Sequence, residues 1–331
     1  MHSQHRRRLL HAVGSMAALS TLPTGVAQAQ SQAYPNRPVR VVVPFPPGGG
    51  TDIIARIVQP RMSEALGGQQ LIIDNRGGAG GSIGTDVVAK AAPDGYTLLF
   101  TLSSHTINAA IFSKLSFNTE ADFAPVSLVA SLPQILVAHP DVAARTPQDV
   151  VAMARAKPGT VLYASVGNGT PGHLAGEMMA LMGKVRMVHV PYRGGGPAVT
   201  DVLANQISFL WVSIPAAAAH VKSGKLRPIA VSTLKRAAGF PDVPTMAESG
   251  FPGFEVDSWY AMFAPAKTPP AIIDRLHKAA VFACAQADVR EKFMQQGAEA
   301  VGGTPSELDR IVKAEIPKWT KLAREAGIKA D

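Results

Sequence analysis

The segment Val39 to Leu66, VRVVVPFPPGGGTDIIARIVQPRMSEAL, constrains the fold more than any other. Val39 to Val43 is an apolar, β-branched run of the kind a fully buried strand needs. Pro44 to Gly50 cannot continue that strand, and three consecutive glycines let the backbone fold close around whatever it meets. From Thr51 the period becomes helical: Ile53, Ile54, Ile57, Val58, Met62, Ala65 and Leu66 share one face. Thr51 or Asp52 is a fitting N-cap, and Gly67 with Gly68 a fitting stop. Strand, glycine turn and helix start together offer unpaired amides at the positive end of a helix dipole, a pocket suited to a small anion. An ordinary βα connection with no ligand has the same outline.

The pattern recurs. NRGGAGGSIGT (Asn75 to Thr85) follows the apolar run Leu71 to Ile73, and SVGNGTPGH (Ser165 to His173) follows Val161 to Tyr163. YRGGGPA (Tyr192 to Ala198) follows Val188 to Val190, and a helix-like segment comes after each. Four glycine-rich turns at strand-to-helix junctions, two in each half of the chain, suggest one ligand gripped from two sides.

The chain opens with an export leader. Arg6 to Arg8 form a basic n-region, Leu9 to Leu22 an apolar h-region, and Ala27-Gln28-Ala29 a cleavage site, so residues 1–29 read as a signal peptide. The apolar part is too short for a membrane span. Arg6-Arg7 also fits a twin-arginine signal, leaving the twin-arginine and general secretory routes both open. The formal net charge of +8 falls by three with the leader. The remaining basic residues are scattered doublets without interleaved aromatics, which argues against nucleic-acid binding. Cys284 is the only cysteine. An intrachain disulfide and a thiolate metal cluster are therefore excluded.

Strands alternate with helices throughout, which argues for an α/β architecture with mainly parallel sheets. Expected strands are Leu71 to Asp74, Tyr96 to Leu102, Val161 to Tyr163, Val188 to Val190, Ile207 to Val212 and Leu226 to Val231. Expected helices include Ile83 to Ala92 and Pro270 to Ala287. Val126 to Ala138 is long enough to cross between two lobes, and Phe254 to Ala264 is the expected return crossing. Gly239 to Gly253 reads as a surface loop. Thr304-Pro305-Ser306-Glu307 combines a capping box with Pro at the first helical position. Its helix should run to about Ala326 and close on the first lobe. The expected lobes are 30–128 with 257–331, and 129–256, joined by a two-strand hinge that lets them close on a ligand.

Other motifs fail on inspection. Gly167, Gly169 and Gly172 fit G-x-G-x-x-G, but Met187-Val188-His189 supplies no acid for a ribose, so nucleotide binding is rejected. Gly80, Ser82 and Gly84 fit the G-x-S-x-G nucleophile elbow, which keeps an exported serine hydrolase using Ser82 as a distant rival. Walker A, H-E-x-x-H and EF-hand patterns are absent, and no cofactor or metal site is expected. His173 fits either a donor to a ligand carboxylate or a helix-packing histidine. Arg76 and Arg193 flank two of the turns, as anion partners or as solvated side chains. Ser104 and Asn108 are short donors near a strand end, where turn and cap roles are equally open. Trp259 and Tyr260 either wall the cleft or pack the hinge.

Together PFPPGGGTDIIAR, NRGGAGGSIGTDVVAKAAPDGYTLL, SVGNGTPGHLAGE, VPYRGGGPAVTDVLANQI and DSWYAMFAPAKTPP resemble the Bug-type extracytoplasmic solute receptors of tripartite tricarboxylate transporters. The resemblance implies a type II periplasmic-binding-protein fold and a non-enzymatic periplasmic receptor acting as a monomer. Its implied partners are a small organic carboxylate and the membrane permease subunits. It further implies a carboxylate held through loop amides, hydroxyls and bridging waters. By position, Phe45, Gly48, Gly49 and Thr51, with Gly78, Ala79, Gly80 and Ser82, would serve from the first lobe, joined by Ser104 and Asn108. Ser165, Gly167, Thr170 and His173, with Tyr192, Gly194 and Gly195, would serve from the second. A receptor that signals to a sensor kinase instead of a permease needs the same cleft.

Overall fold

The computed structural model describes residues 34–329, so the expected leader lies outside the described residues. The chain opens with β1 (Val39–Val43), α1 (Gly50–Ala65) and β2 (Leu71–Asn75), then a 3-10 turn (Ala79–Gly81), α2 (Ser82–Ala89), β3 (Thr97–Leu102) and α3 (Ser104–Ile111). A long β4 (Phe123–Ala138) leads into α4 (Pro147–Ala156), β5 (Leu162–Ser165), α5 (Pro171–Gly183), β6 (Val188–Pro191) and α6 (Gly195–Leu203). Next come β7 (Phe209–Ser213), α7 (Ile214–Lys222) and β8 (Arg227–Val231). The chain returns through β9 (Asp257–Pro265), α8 (Pro270–Ala285), α9 (Ala287–Gln295), β10 (Glu299–Gly303) and α10 (Pro305–Ala326).

Two lobes share these elements in the plan of a type II periplasmic-binding protein. In the first, the sheet runs β2-β1-β3-β9-β4, with β10 also on β4; in the second, β4-β7-β5-β6, with β8 on β4. The sheets are mixed, which corrects the expectation of mainly parallel pairing. Pairs β1–β2, β1–β3, β5–β6 and β5–β7 are parallel, but every pairing made by β4 or β9 is antiparallel. The reason is connectivity, because these strands carry the chain between lobes. β4 exchanges partners at one point: Pro133 pairs with Asp257 in the first sheet and Gln134 with Ser213 in the second. There Val256 N–H donates to the Ser232 carbonyl at 3.0 Å and Ser232 N–H to the Gln134 carbonyl at 2.9 Å, so the two crossings lie side by side.

This topology brings the glycine turns together. β1 and β2 are adjacent and parallel, ending on the pair Val43–Asn75, so their turns leave the same edge of the first sheet. β5 and β6 do the same in the second, ending on Ser165–Pro191. Ligand sites in α/β sheets form outside such carboxyl ends, where successive connections diverge. Beneath them Val39, Val41, Val42 and Val43 are fully buried. Each contributes about 1.5–3 kcal/mol and makes a rigid base for the first turn.

Four further expectations are corrected. α2 ends at Ala89, because residues 90–96 turn before β3. α3 was not anticipated, and its SHTINAAI is helical because Ser104 to Asn108 and Ile111 are buried and the helix packs against α10. The stretch 239–253 is no simple surface loop: Thr245 and Met246 are fully buried, with Phe240, Val243 and Phe251 nearly so. Finally, α10 has its capping box between Thr304 and Glu307 but does not close on the first lobe alone. Leu308 and Val312 pack in a first-lobe core with Val42, Leu99 and Phe263, whereas Trp319 and Ala323 pack with Trp211 and Phe254 of the second. Pro317, which has no N–H for the helical ladder, lies between these two contacts.

Candidate functional site

The first glycine turn is built around Asp52. Its carboxylate is buried in the first turn of α1 and accepts from Gly48 N–H (2.9 Å), Arg56 Nε (2.9 and 3.0 Å) and Asn75 Nδ2 (3.0 Å). Burial pushes the carboxyl up, but the bonds from Arg56, Gly48 and Asn75 outweigh it and hold Asp52 below the usual carboxylate range. Asn75 Nδ2 also donates to the Phe45 carbonyl at 2.9 Å, tying the second turn to the first. The N-cap of α1 is Gly49 rather than Thr51 or Asp52. Thr51 is the second residue of the helix, buried beside the Tyr260 hydroxyl.

The second turn is a left-handed run, with φ of +130° at Gly78, +47° at Ala79, +60° at Gly80 and +96° at Gly81. Only glycine takes such values without cost. Asn108 of α3 supports it by donating Nδ2–H to the Gly80 carbonyl at 3.0 Å. Ser82 opens α2, half-buried.

The third turn is held from within the second lobe. Ser165 Oγ accepts from Gly167 N–H at 3.1 Å and lies 2.7 Å from His189 Nε2. Thr170 N-caps α5 by position, yet its hydroxyl donates to the Gly167 carbonyl at 2.7 Å instead of accepting from the helix. His173 Nδ1 accepts from Gly169 N–H at 3.3 Å, and its ring stacks on His189 at 4.1 Å. Burial pushes His173 down to about 4. Burial and the neighbouring His173 push His189 down to about 3. Both rings are therefore neutral near pH 7. In the fourth turn Tyr192 Oη donates to Asp201 Oδ2 at 2.6 Å, and Gly194 caps α6.

The four turns meet at one cleft of about 320 Å³ between the lobes. Of the residues expected there, Phe45, Gly78, Ala79, Gly80, Gly167 and Tyr192 line it directly. Gly49, Gly194 and Gly195 form the adjoining seam. A Cβ on Gly195 would lie 3.7 Å from Gly49 Cα, and one on Gly194 would lie 2.7 Å from Pro46 Cδ. Gly48 and Asn108 brace the turns through the bonds above. Thr51, Ser82, Ser104, Ser165, Thr170 and His173 lie outside the lining. Several amides expected to face a ligand are already engaged: Gly48 with Asp52, Gly81 with Gly78, Gly167 with Ser165 and Gly169 with His173.

Sequence reasoning missed Phe112, Val166, Asn168 and Pro191 in the lining. Val166 and Asn168 stand inside a turn that was recognised, so their proximity was the available signal. Phe112 terminates α3, an element with no signal. Arg193 is the only charged side chain among the lining residues. Trp259 and Tyr260 are buried on β9 and pack the hinge. A larger groove of about 890 Å³ lies at the hinge, between Ser131–Pro133, Thr233–Ala238 and Gly297–Ala300, and holds none of the glycine turns. The smaller cleft is the functional candidate because both lobes close their turns on it. Among the described residues no helix is long and apolar enough to cross a membrane.

A hinged α/β clamshell with turns from both lobes around a small cleft is the architecture of a solute receptor. The tripartite tricarboxylate transporter family receptor profile, TctC, matches residues 54–328, and the chain belongs to that family. The chain is similar to the periplasmic binding protein BugD, at 34% identity, TM-score 0.86, 89% of this chain and 99% of that one. It is also similar to Rpa4515 of R. palustris solved with adipate, at 35% identity, TM-score 0.86, 89% and 99% coverage. MatC of Rhodopseudomonas palustris with bound malate is similar at 33% identity, TM-score 0.83, 87% and 99% coverage. The protein is thus a periplasmic solute-binding receptor of a tripartite tricarboxylate-type transporter and not an enzyme.

Proposed function

We propose that the cleft captures a small organic carboxylate and that the receptor, acting as a monomer, delivers it to the permease subunits of its transporter. The observation that carries this reading is the convergence of four glycine turns, two from each lobe, on a single cleft whose lining contains an arginine and no acidic side chain. Closure also brings the N-termini of α1 and α6 together at Gly49 and Gly195. Two positive dipole ends oppose each other there unless an anion lies between them. The similar proteins solved with adipate and with malate support a carboxylate as that anion.

In this reading Phe45, the backbone of Gly78 to Gly80, Gly167 and Tyr192 meet the ligand. Gly48, Gly49, Gly194, Gly195 and Asn108 set the seam, while Thr51, Ser82, Ser104, Ser165, Thr170 and His173 act one layer behind. We take 30–128 with 257–331 as one moving body and 129–256 as the other, with α10 strapped across both. Thermal denaturation of the mature protein over a broad panel of carboxylates tests the reading. At least one should raise the melting temperature by several degrees, as ligands that bind only the folded state do. A panel in which none does so would refute it.

A further inference from the structure

We propose that the hydroxyl of Tyr260 is an interlobe latch. It joins the start of α1 in the first lobe to the start of α7 in the second, and so sets how far the ligand-free lobes stand apart, without touching the ligand. The proposal rests on the lobes moving as the two bodies described above. Tyr260 is buried on β9 in the first sheet, opposite Leu102 of β3 and Ala130 of β4. Ser213 lies in the second sheet, opposite Gln134. A bond between the two side chains therefore spans the point where β4 exchanges partners.

Three observations place the bond there. A Cβ on Gly50 would lie 2.1 Å from Ser213 Oγ and 3.1 Å from Tyr260 Oη, so both hydroxyls crowd the first residue of α1. Tyr260 Oη hydrogen-bonds the side chains of Ser213 and of Thr51, the neighbour of Gly50. Ser213 stands at the N-cap of α7 yet makes no capping bond with its own helix. Thr51, Ser213 and Tyr260 are all buried, so a hydroxyl that loses its partner here finds little water to replace it.

The start of α6 adjoins the junction, because a Cβ on Gly195 would lie 3.3 Å from the Cβ of Ala216. The positive ends of three helices thus meet, and they repel one another. Neither α6 nor α7 carries an acid in its first turn, and Asp52 of α1 is taken up by Gly48, Arg56 and Asn75. Tyr260 supplies a neutral oxygen against this repulsion. Its bonds hold the helix starts together until the lobes rotate, since a side-chain hydrogen bond is gone by about 3.6 Å.

Small-angle scattering and hydrogen exchange on the mature protein, refolded free of solute, test the latch. Tyr260→Phe should increase the radius of gyration. It should also make amides in the first turns of α1 and α7 exchange about tenfold faster, the scale of one lost hydrogen bond. Thr51→Val with Ser213→Ala removes the same bonds from the other side and should do the same, which keeps the test decisive if Tyr260→Phe does not fold. Tyr163→Phe is the control. Tyr163 is equally buried but bonds Glu177 and the His173 carbonyl within the second lobe, so its loss should lower the melting temperature and leave the radius unchanged. Gly50→Ala drives a Cβ into Ser213 Oγ and should open the lobes whatever the hydroxyls do. Adding Ser213→Gly should return the radius to that of Ser213→Gly alone. If Gly50→Ala opens the lobes while the hydroxyl variants keep the parent's radius and exchange, or if Tyr163→Phe opens them equally, the latch is overturned. A radius unchanged in every variant, Gly50→Ala included, overturns the two moving bodies instead.

Discussion

Gly80 of the first lobe lies against the Asn168 carbonyl of the second, so closely that a Cβ on Gly80 would sit 2.1 Å from that oxygen. The glycine is therefore what lets one lobe's backbone touch the other's. Gly80→Ala should leave the free protein folded, at about 1 kcal/mol for a left-handed alanine and a melting temperature lower by about 2–4 °C. It should abolish the rise in melting temperature given by any carboxylate that stabilises the parent, because the lobes can no longer meet. A variant that retains the full rise would show that closure does not pass through this contact.

Asp52 and Asp74 both hold arginines beside glycine turns, but only Asp52 is buried. Asp52→Ala leaves the Gly48 and Asn75 donors without their acceptor, and should lower the unfolding free energy by about 2–3 kcal/mol. Arg76→Ala removes an exposed pair and should change it by less than about 0.5 kcal/mol. Urea unfolding of the two variants at pH 7 separates them. Because the folded-state pKa of Asp52 is depressed, its contribution is present above the ordinary carboxylate range and lost as pH falls below it.

Two buried histidines and one half-buried one make the fold acid-sensitive. Burial pushes His105 down to about 3, among Phe117, Phe123 and Phe263, and in the second lobe it pushes His173 down to about 4 and His189 to about 3. Their folded pKa values lie below the unfolded value near 6.5, so below that pH the unfolded chain binds more protons. Stability is then complete above about 6.5 and declines as pH falls toward 4, by about 1.4 kcal/mol per pH unit for each histidine. Asp257 and Glu315, pushed upward by burial, oppose the decline at its acid end. The slope is therefore read between pH 5 and 6.5. His105→Leu should remove about a third of it, and an unchanged slope would assign the acid sensitivity elsewhere.

Glu315 ties the hinge to the strap. Its Oε2 accepts from Thr106 Oγ1 of α3 at 2.6 Å, Trp259 Nε1 of β9 at 3.0 Å and Trp319 Nε1 of α10 at 3.2 Å. Glu315→Leu orphans two indole donors on buried tryptophans and should cost about 3 kcal/mol. Glu315→Gln keeps an acceptor there and should cost about 1 kcal/mol. Equal losses in the two variants, measured by urea unfolding, would mean that packing rather than hydrogen bonding holds this junction.

What the sequence alone determined is local. The valine run, the four strand–glycine–helix junctions and the Thr304–Glu307 capping box are visible because each depends on neighbours a few residues away. The two-lobe plan was legible too, through one strand too long for a single sheet and a return strand beside it. Tertiary structure decided the rest. α3 has little periodicity of its own and owes its helicity to burial near α10. The reach of α10 across both lobes depends on where Trp211 and Phe254 lie, more than 60 residues earlier in the chain. The same holds inside the site, where Asn75 on Asp52, Asn108 on Gly80 and His173 on Gly169 brace the turns. Glycine spacing announces that amides can face a ligand. Which of them do is set by bonds between residues that only folding brings together.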